Sequence, residues 1–423
     1  MFQVLGSSWA LLLGMLLLMV GNGLQGTLLG VRGSLEDFST LSMSIIMSAY
    51  FVGFLGGSRL APAMIRRVGH VRVFAALASF ISAVIILYPT LVNPVAWALG
   101  RVVIGFCFSG VYVTAESWLN HSANNENRGK ALSLYMIVQM SGIVAAQGLL
   151  AWGDPSGFIL FIIPSVLVSI SFAPILLSVS PTPAFDRTKP MSLLELWRIS
   201  PLGCVGMFML GGVFAAQFGM SAVWGTQAGL SVKEISVFVA AVYVGALVLQ
   251  YPIGWISDMM DRRQLIMIVA AFGGTAALCG YFAEGDFLLL TISGALIGGT
   301  SNPLYALLIA YTNDFLEHDD MAAASGGLIF INGVGAVSGP LLVGWLMSVI
   351  GPSGYFAYSA VLMLGLAAYA LWRMSRRPAP IVEGTGAYAP VFPSASPVAV
   401  ELAQEVFIET ALREEEEAAR QDS

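Results

Sequence analysis

Charge is what this 423-residue sequence has least of. Asp, Glu, Lys and Arg make up 10% of it, against roughly 25% in an ordinary globular domain. Hydrophobic residues reach 57% and the mean hydropathy is +0.81, which excludes most soluble folds. Cysteine is nearly as scarce. Cys107, Cys204 and Cys279 lie far apart inside apolar runs with no C-x-x-C spacing, so neither a disulfide framework nor a zinc site is expected. The three histidines, His70, His121 and His318, fall in predicted loops. A Ser-His dyad within the membrane, H-E-x-x-H zinc ligation and bis-His haem are therefore unsupported, and no metal or cofactor is expected. A Gly-rich phosphate loop of the G-x4-G-K-[ST] kind is missing, which argues against ATP as the energy source. No basic domain is present, so nucleic acid is not an expected partner. No Lys or Arg precedes Arg32; the first apolar run lacks the basic start of a cleaved signal peptide and is read as a retained span.

What is there is a series of long apolar runs. A bilayer core of about 30 Å needs about 20 apolar residues per helix, and twelve runs qualify, at roughly 9–30, 41–60, 73–92, 95–118, 131–152, 157–178, 202–224, 235–257, 264–283, 287–312, 322–349 and 354–372. The fold class expected is an all-α polytopic membrane protein. The longest internal break follows the sixth run, with prolines at 181, 183 and 190 and a short amphipathic piece around Leu193 to Ile199. The expected organisation is a first six-helix bundle over 1–180, a central linker over 181–200, a second bundle over 201–375 and a Pro-rich, acidic tail over 376–423. If both termini are cytoplasmic, fourteen of the 19 Lys and Arg face the cytoplasm and only Arg32 and Lys233 face the other side. Short cytoplasmic loops collect basic residues, so that orientation is the expected one. Eight of the nine tryptophans, including Trp97, Trp118, Trp152 and Trp224, stand near predicted span ends, where the amphipathic ring favours the interface.

The halves repeat. A shift of 193 positions pairs Tyr50 with Tyr243, Gly105 with Gly298, Tyr112 with Tyr305, Asn120 with Asn313, Gly142 with Gly335 and Trp152 with Trp345. One register holds across a loop and relates spans of the same direction, as parallel six-helix repeats require.

An amide or charge in hydrocarbon is costly unless it faces a cavity or a partner. Deep in the runs stand Asn22, Gln25, Arg101, Gln139, Gln147, Gln217, Gln250, Asn302 and Asn332, whereas runs 3, 6, 9 and 12 carry no such residue away from their ends. At 1.5 Å per residue, Asn22, Gln139, Asn302 and Asn332 fall near mid-membrane, with Gln25, Gln217 and Arg101 somewhat outward. These seven, with Tyr112, Tyr243 and Tyr305, are the candidate substrate cavity. Interhelical glue is the competing reading for any single amide. Arg101 could hold an anionic substrate group, or simply hydrogen-bond Asn22 and Gln25. No Asp or Glu lies near mid-membrane in any run.

Several motifs carry a family resemblance. After run 8 stands Gly254-x3-Asp258-x2-Asp261-Arg262-Arg263; after run 2, Arg66-Arg67-Val-Gly69-His70-Val-Arg72; in run 4, Arg101-x3-Gly105-x4-Gly110. With twelve spans in a six plus six arrangement, the chain resembles the major facilitator superfamily over about residues 1 to 375. The run Tyr112-Val-Thr-Ala-Glu116-Ser-Trp-Leu-Asn120, followed by Arg128-Gly129-Lys130, is similar to the bacterial YcaD-type branch of inner-membrane transporters. The first loop departs from the pattern, with Arg66 where an aspartate is usual, and run 5 has Gln147-Gly148 in place of the antiporter Gly-Pro. The resemblance implies a two-bundle, multi-pass inner-membrane transporter working by alternating access. It also implies that runs 3, 6, 9 and 12 face lipid, and that the fourth-helix arginine has a part in proton coupling. The expected partners are a small-molecule substrate, the lipid bilayer and protons for coupling; a monomer is expected. Facilitated diffusion stays open because the central carboxylate is missing.

Near the cytoplasmic boundary, Glu116 is expected to form an ion-pair latch with Arg66, Arg67 and Arg72, with a proton acceptor as the alternative. Asp258, Asp261, Arg262 and Arg263 are its expected counterpart in the second half, with Asp314 close by. A non-transporting sensor on the same fold is the second functional reading and an intramembrane enzyme a distant third. The formal charge of −6 resolves into +1 up to Arg377 and −7 beyond it. The tail therefore carries the acidity, much of it in Glu414 to Glu417. Val398 to Arg420 has helical spacing; a solvated face is the plainer explanation and a docking or regulatory element the sharper one.

Overall fold

The computed structural model describes residues 2–122, 128–174, 191–283, 285–316 and 318–376, and in the tail residues 388, 390, 391, 393, 396, 398–400 and 403–405. Linker residues 181–190 and the acidic block Glu414 to Glu417 lie outside the described residues, as does most of the helical spacing predicted beyond Val398. The chain is built of helices: α1 (Phe2–Leu35), α2 (Thr40–Val68), α3 (His70–Leu87), α4 (Pro94–Ser122), α5 (Arg128–Trp152), α6 (Ile159–Ser171), α7 (Leu193–Ile199), α8 (Pro201–Gln227), α9 (Val232–Ser257), α10 (Arg262–Tyr281), α11 (Phe287–Asn313), α12 (His318–Ile350) and α13 (Gly354–Met374). Eleven of these are long and apolar enough to cross a membrane. The sixth run is the exception, its described helix α6 being shorter.

Lipid offers no hydrogen bonds, so each span satisfies its own backbone and each end needs a cap. Ser39 caps α2 by accepting the Ser42 N–H, and Ser231 forms a reciprocal capping box with Glu234 at the start of α9. Asp286 caps α11 through the Leu289 N–H. Between α2 and α3, Gly69 stands at φ +85° with its N–H on Ile65 O at 2.8 Å, a turn that favours glycine. His70, predicted in a loop, opens α3 instead and is buried, its Nε2 2.9 Å from Ser117 Oγ.

The packing repeats as the sequence does. In the first half α2 packs on α4, α1 on α5 and α6, and α3 on α4 and α6; in the second, α9 packs on α11, α8 on α12 and α13, and α10 on α11 and α13. The glycines of the 193-residue register have a physical reason. A Cβ on Gly105 would overlap the carbonyl oxygen of Tyr50, and one on Gly298 that of Val242; small residues let paired helices approach backbone to backbone. The halves meet where α2 faces α12, α5 faces α9 and α1 faces α8. Trp97, Trp118 and Trp224 depart from the interface expectation. All three are buried: Trp97 donates to Tyr88 O at 3.0 Å, and Trp224 stacks on Tyr355 with ring centroids 5.1 Å apart.

Candidate substrate cavity and gate

The polar residues of α1 and α4 form one chain. Arg101 is fully buried. Its Nη1 donates to Gln25 Oε1 at 3.1 Å, its Nη2 points at Met47 Sδ at 3.6 Å, and the guanidinium lies 4.6 Å from the centre of the Tyr50 ring. Gln25 donates onward to Asn22 Oδ1 at 3.3 Å, and Asn22 to the Tyr112 hydroxyl at 3.4 Å. A guanidinium out of water is tolerated when donors find acceptors and an aromatic face covers the plane. Both readings of Arg101 survive: it does hold Gln25, and its Nε makes no hydrogen bond among the described residues.

Across the interface the wall is aromatic. Tyr50, Phe51 and Phe54 of α2 face Phe214 and Phe218 of α8, with Tyr50 to Phe218 at 5.3 Å and Phe51 to Phe214 at 6.3 Å between ring centroids. Phe214 and Phe218 stack at 15°. Phe218 and Gln217 lie in a π-helical turn, Ala216–Met220, that interrupts α8. One extra residue per turn re-aims these side chains, and such bulges are frequent at functional sites. Gln217 Nε2 donates to Ser301 Oγ at 3.1 Å.

The remaining candidates divide. Asn302 and Tyr305 lie on α11, one turn apart; Asn302 Nδ2 donates to Gly298 O at 3.1 Å, while its Oδ1 and the Tyr305 hydroxyl make no hydrogen bond among the described residues. Tyr243 is buried in α9. Gln139 is buried in α5. Asn332 donates to Met207 O at 2.9 Å, binding α12 to α8, and also lines a small cavity with Phe54 and Phe214.

On the face bearing Arg66 and Arg262, which we call the Arg-rich face, the gate candidates do not assemble as a single latch. Arg66, Arg67 and Arg72 are exposed. Glu116 is buried and forms no ion pair with them; its Oε1 accepts the Tyr135 hydroxyl at 3.2 Å and its Oε2 the backbone N–H of Ser396, in the tail, at 2.8 Å. In the second half the ions do pair. Arg262 is bonded to Asp314, both being almost fully buried, and lies 3.8 Å from Asp258; Arg263 pairs with Asp261 at 2.8 Å. Burial raises the Asp314 carboxyl to about 6 despite Arg262. Burial also raises Asp258, against the Tyr388 N–H and Arg262. At Asp261 burial acts in the same sense, but the Arg263 bonds outweigh it and hold the carboxyl below its usual range.

On the opposite face the halves touch directly. Gly30 meets Ala222, Gly344 meets Ser44, Ser48 Oγ donates to Val337 O and Gln227 Nε2 donates to Thr40 Oγ1. Among the described residues no group of three or more His, Cys, Asp or Glu is gathered for a metal ion.

Two bundles, a polar chain at their interface and one sealed face make the architecture of a solute carrier, and comparison with known proteins decides the family. The sequence pattern of the Major Facilitator Superfamily matches residues 11–220 and again residues 202–410. The chain belongs to the Major Facilitator Superfamily. Its relatives include the uncharacterized MFS-type transporter YcaD of Escherichia coli strains 536 and ED1a, each 27% identical over 345 residues, covering 80% of this chain and 88% of the relative. Among solved structures, a variant of the nucleoside transporter NupG superposes with a TM-score of 0.75 at 14% identity, over 86% of this chain and 99% of that one. The Escherichia coli fucose:proton symporter FucP gives 0.57 at 15% identity, over 86% and 98%. A bacterial homolog of the human lysosomal transporter Spinster, in an inward-facing and unoccupied conformation, gives 0.66 at 13% identity, over 96% and 98%. This superfamily member is thus a multi-pass membrane transporter of small solutes, with the two-repeat fold of its family.

Sequence reasoning passed over three features of this transporter: the aromatic wall, the π turn and the tail at the gate. Phe51, Phe54, Phe214 and Phe218 look like any apolar span residue in the sequence. A π turn has no reliable sequence signature. The tail was read by its charge, whereas its buried part is the apolar and proline-bearing stretch before the acids.

Proposed function

We propose that this transporter moves a small solute across the bacterial inner membrane by alternating access, with both termini cytoplasmic and the Arg-rich face inward. The observation that carries this reading is the buried chain Arg101–Gln25–Asn22–Tyr112, set against the aromatic wall at the bundle interface and closed off from the opposite face. Buried polar groups at the junction of two bundles are where such folds bind their cargo. The substrate contacts are drawn from that chain, from Tyr50 and the phenylalanines, and from Gln139, Gln217, Tyr243, Asn302, Tyr305 and Asn332. The first bundle covers 1–180, the linker 181–200, the second bundle 201–375 and the tail 376–423, and the transporter acts as a monomer without catalysing a reaction.

Coupling to protons is a second element of the proposal. Glu116 is a carboxyl group buried within the α4 span that forms no ion pair among the described residues, and an ionisable residue so placed marks a candidate proton site. The test is transport by proteoliposomes of a panel of metabolites and toxic compounds, with and without an imposed pH gradient. Solute movement that a pH gradient drives and that Glu116→Gln uncouples supports the reading. Binding of a panel compound without any movement across the bilayer would favour a sensor instead.

A further inference from the structure

Two of the gate carboxylates, one in each bundle, have a feature in common: each accepts a backbone N–H from the C-terminal tail. Glu116, on α4 of the first bundle, accepts from Ser396 at 2.8 Å; Asp258, at the end of α9 in the second, accepts from Tyr388 at 2.8 Å. The Tyr388 ring lies against Gly254, where a Cβ would collide with it, and Gln250 Nε2 donates to its hydroxyl at 2.6 Å. Tyr388 and Pro390 line a cavity of about 370 Å³ between α5 and α9. Pro393 lines one small cavity together with Phe54 and Leu55 of α2 and Phe214 and Asn332 of the second bundle, so it borders the aromatic wall. Gln404 then donates to Asn313 Oδ1 at 3.1 Å and Met321 O at 3.0 Å, on α11 and α12. Ser396, Ala399, Val400 and Gln404 are all buried.

We propose that the tail acts as an autoinhibitory plug: its described residues Tyr388, Pro390, Pro393, Ser396 and Gln404 occupy the vestibule of the Arg-rich face and tie the two bundles together. Two consequences follow from the contacts. Solute approaching the aromatic wall from this face meets Pro393, which borders the same cavity as Phe54 and Phe214. The bundles cannot rock to close this face while the tail occupies the space between them, because packed elements do not interpenetrate. Gly254 and Asp258 of the loop motif, and Glu116 of the fourth helix, would then serve in this conformation as receptors for the chain's own end. A charge-assisted bond to a backbone N–H is strong enough to hold the tail and weak enough to exchange with water once the vestibule is wet.

The proposal rests on alternating access but is tested without a substrate and without a membrane orientation, so its failure is separable from failure of the transport assignment. In purified full-length protein in detergent, with Cys107, Cys204 and Cys279 replaced, single cysteines report maleimide reactivity. Ser325→Cys lies under Gln404 in the vestibule, Ser44→Cys lies under Gly344 on the sealed face, and Ser165→Cys lies inside the first bundle, where its hydroxyl meets Ser82. Ser396→Pro deletes the N–H that Glu116 accepts, Gln404→Ala deletes the second anchor, and termination after Arg377 deletes the plug. Ser396→Pro is expected to speed labelling at Ser325→Cys by about tenfold, the order expected for one lost hydrogen bond to a charged group, with a smaller rise for Gln404→Ala, whose partners are neutral, and the largest for the truncation. Labelling at Ser44→Cys should rise as the bundles regain their rocking, with Ser165→Cys unchanged. Unaltered labelling at Ser325→Cys or at Ser44→Cys overturns the proposal, and so does a parallel rise at Ser165→Cys, which would mean loosening of the whole fold.

Discussion

The two faces of the bundle interface are held by different chemistry. On the sealed face small residues meet directly, Gly30 on Ala222 and Gly344 on Ser44, with few polar bonds among them. On the Arg-rich face the halves are joined through the tail and through Arg59, whose guanidinium lies 4.3 Å from the centre of the Phe330 ring. Small-residue contacts bring backbones together and are made or lost as a unit. Polar bonds through an inserted segment can be given up one at a time to water. The sealed face therefore sets the conformation, while the other face is suited to adjustment.

The most severe way to break this comparison is to make the sealed face permanent. Thr40→Cys with Gln227→Cys replaces a hydrogen-bonded pair; under oxidant, transport in proteoliposomes should fall to background and return with reductant. Prying the same face apart is the next strongest test. Gly344→Leu puts a side chain where Ser44 already stands, an overpacking worth about 1–3 kcal/mol. Faster maleimide labelling of a cysteine at Ser44 is the expected readout, and unchanged labelling would mean that the face is not close-packed.

Inside the interface, Arg101→Met removes the charged donor to Gln25 and the cation over Tyr50. Thermal unfolding in detergent should show a loss of about 1–3 kcal/mol, and Arg101→Lys should recover little of it, because an ammonium does not reproduce the planar fork. On the Arg-rich face, Asp314 gives a pH test. Its carboxyl is raised from 3.8 to about 6 in the folded protein. The folded state thus binds the proton more tightly, so this group's stabilising contribution is full below about 3.8 and is lost as the pH rises through about 6. The melting temperature should gain about 1–2 °C between pH 7 and pH 5, and Asp314→Asn should flatten that slope. The smallest effect is expected from Arg59→Ala, which removes one cation–π contact worth about 0.5–1 kcal/mol; a larger loss would mean that Arg59 shares in closing this face.

The helices and their pairing were legible in the sequence, because a span in lipid must be apolar and helical along its whole length, and Gly105 and Gly298 mark the same close crossing in each half. The polar chain was half legible. Asn22, Gln25 and Arg101 stand out in an apolar run as amides and a charge, and one of the two readings offered for Arg101, a bond to Gln25, is what the structure shows. Tyr50 was visible only as a repeat partner, since nothing in its sequence neighbourhood reveals a guanidinium lying over its ring. The expected pairing of Glu116 with Arg66, Arg67 and Arg72 did not form, because a different element reaches the carboxylate first. Its contact residue, Ser396, lies 280 residues downstream in a segment whose charge pattern pointed to solvent.

Composition alone determined that this chain lives in a bilayer, and periodicity with the 193-residue register determined that it does so as two like bundles. Those are local properties, dictated by what each stretch of backbone needs in hydrocarbon. Which face is sealed, where α8 takes its π turn, and what occupies the gate were decided by tertiary structure. Each depends on two or more elements far apart in the chain arriving at one place, and on the volume left between them: a glycine admits Tyr388 at Gly254 and admits a whole helix at Gly105, with the same residue written in both positions.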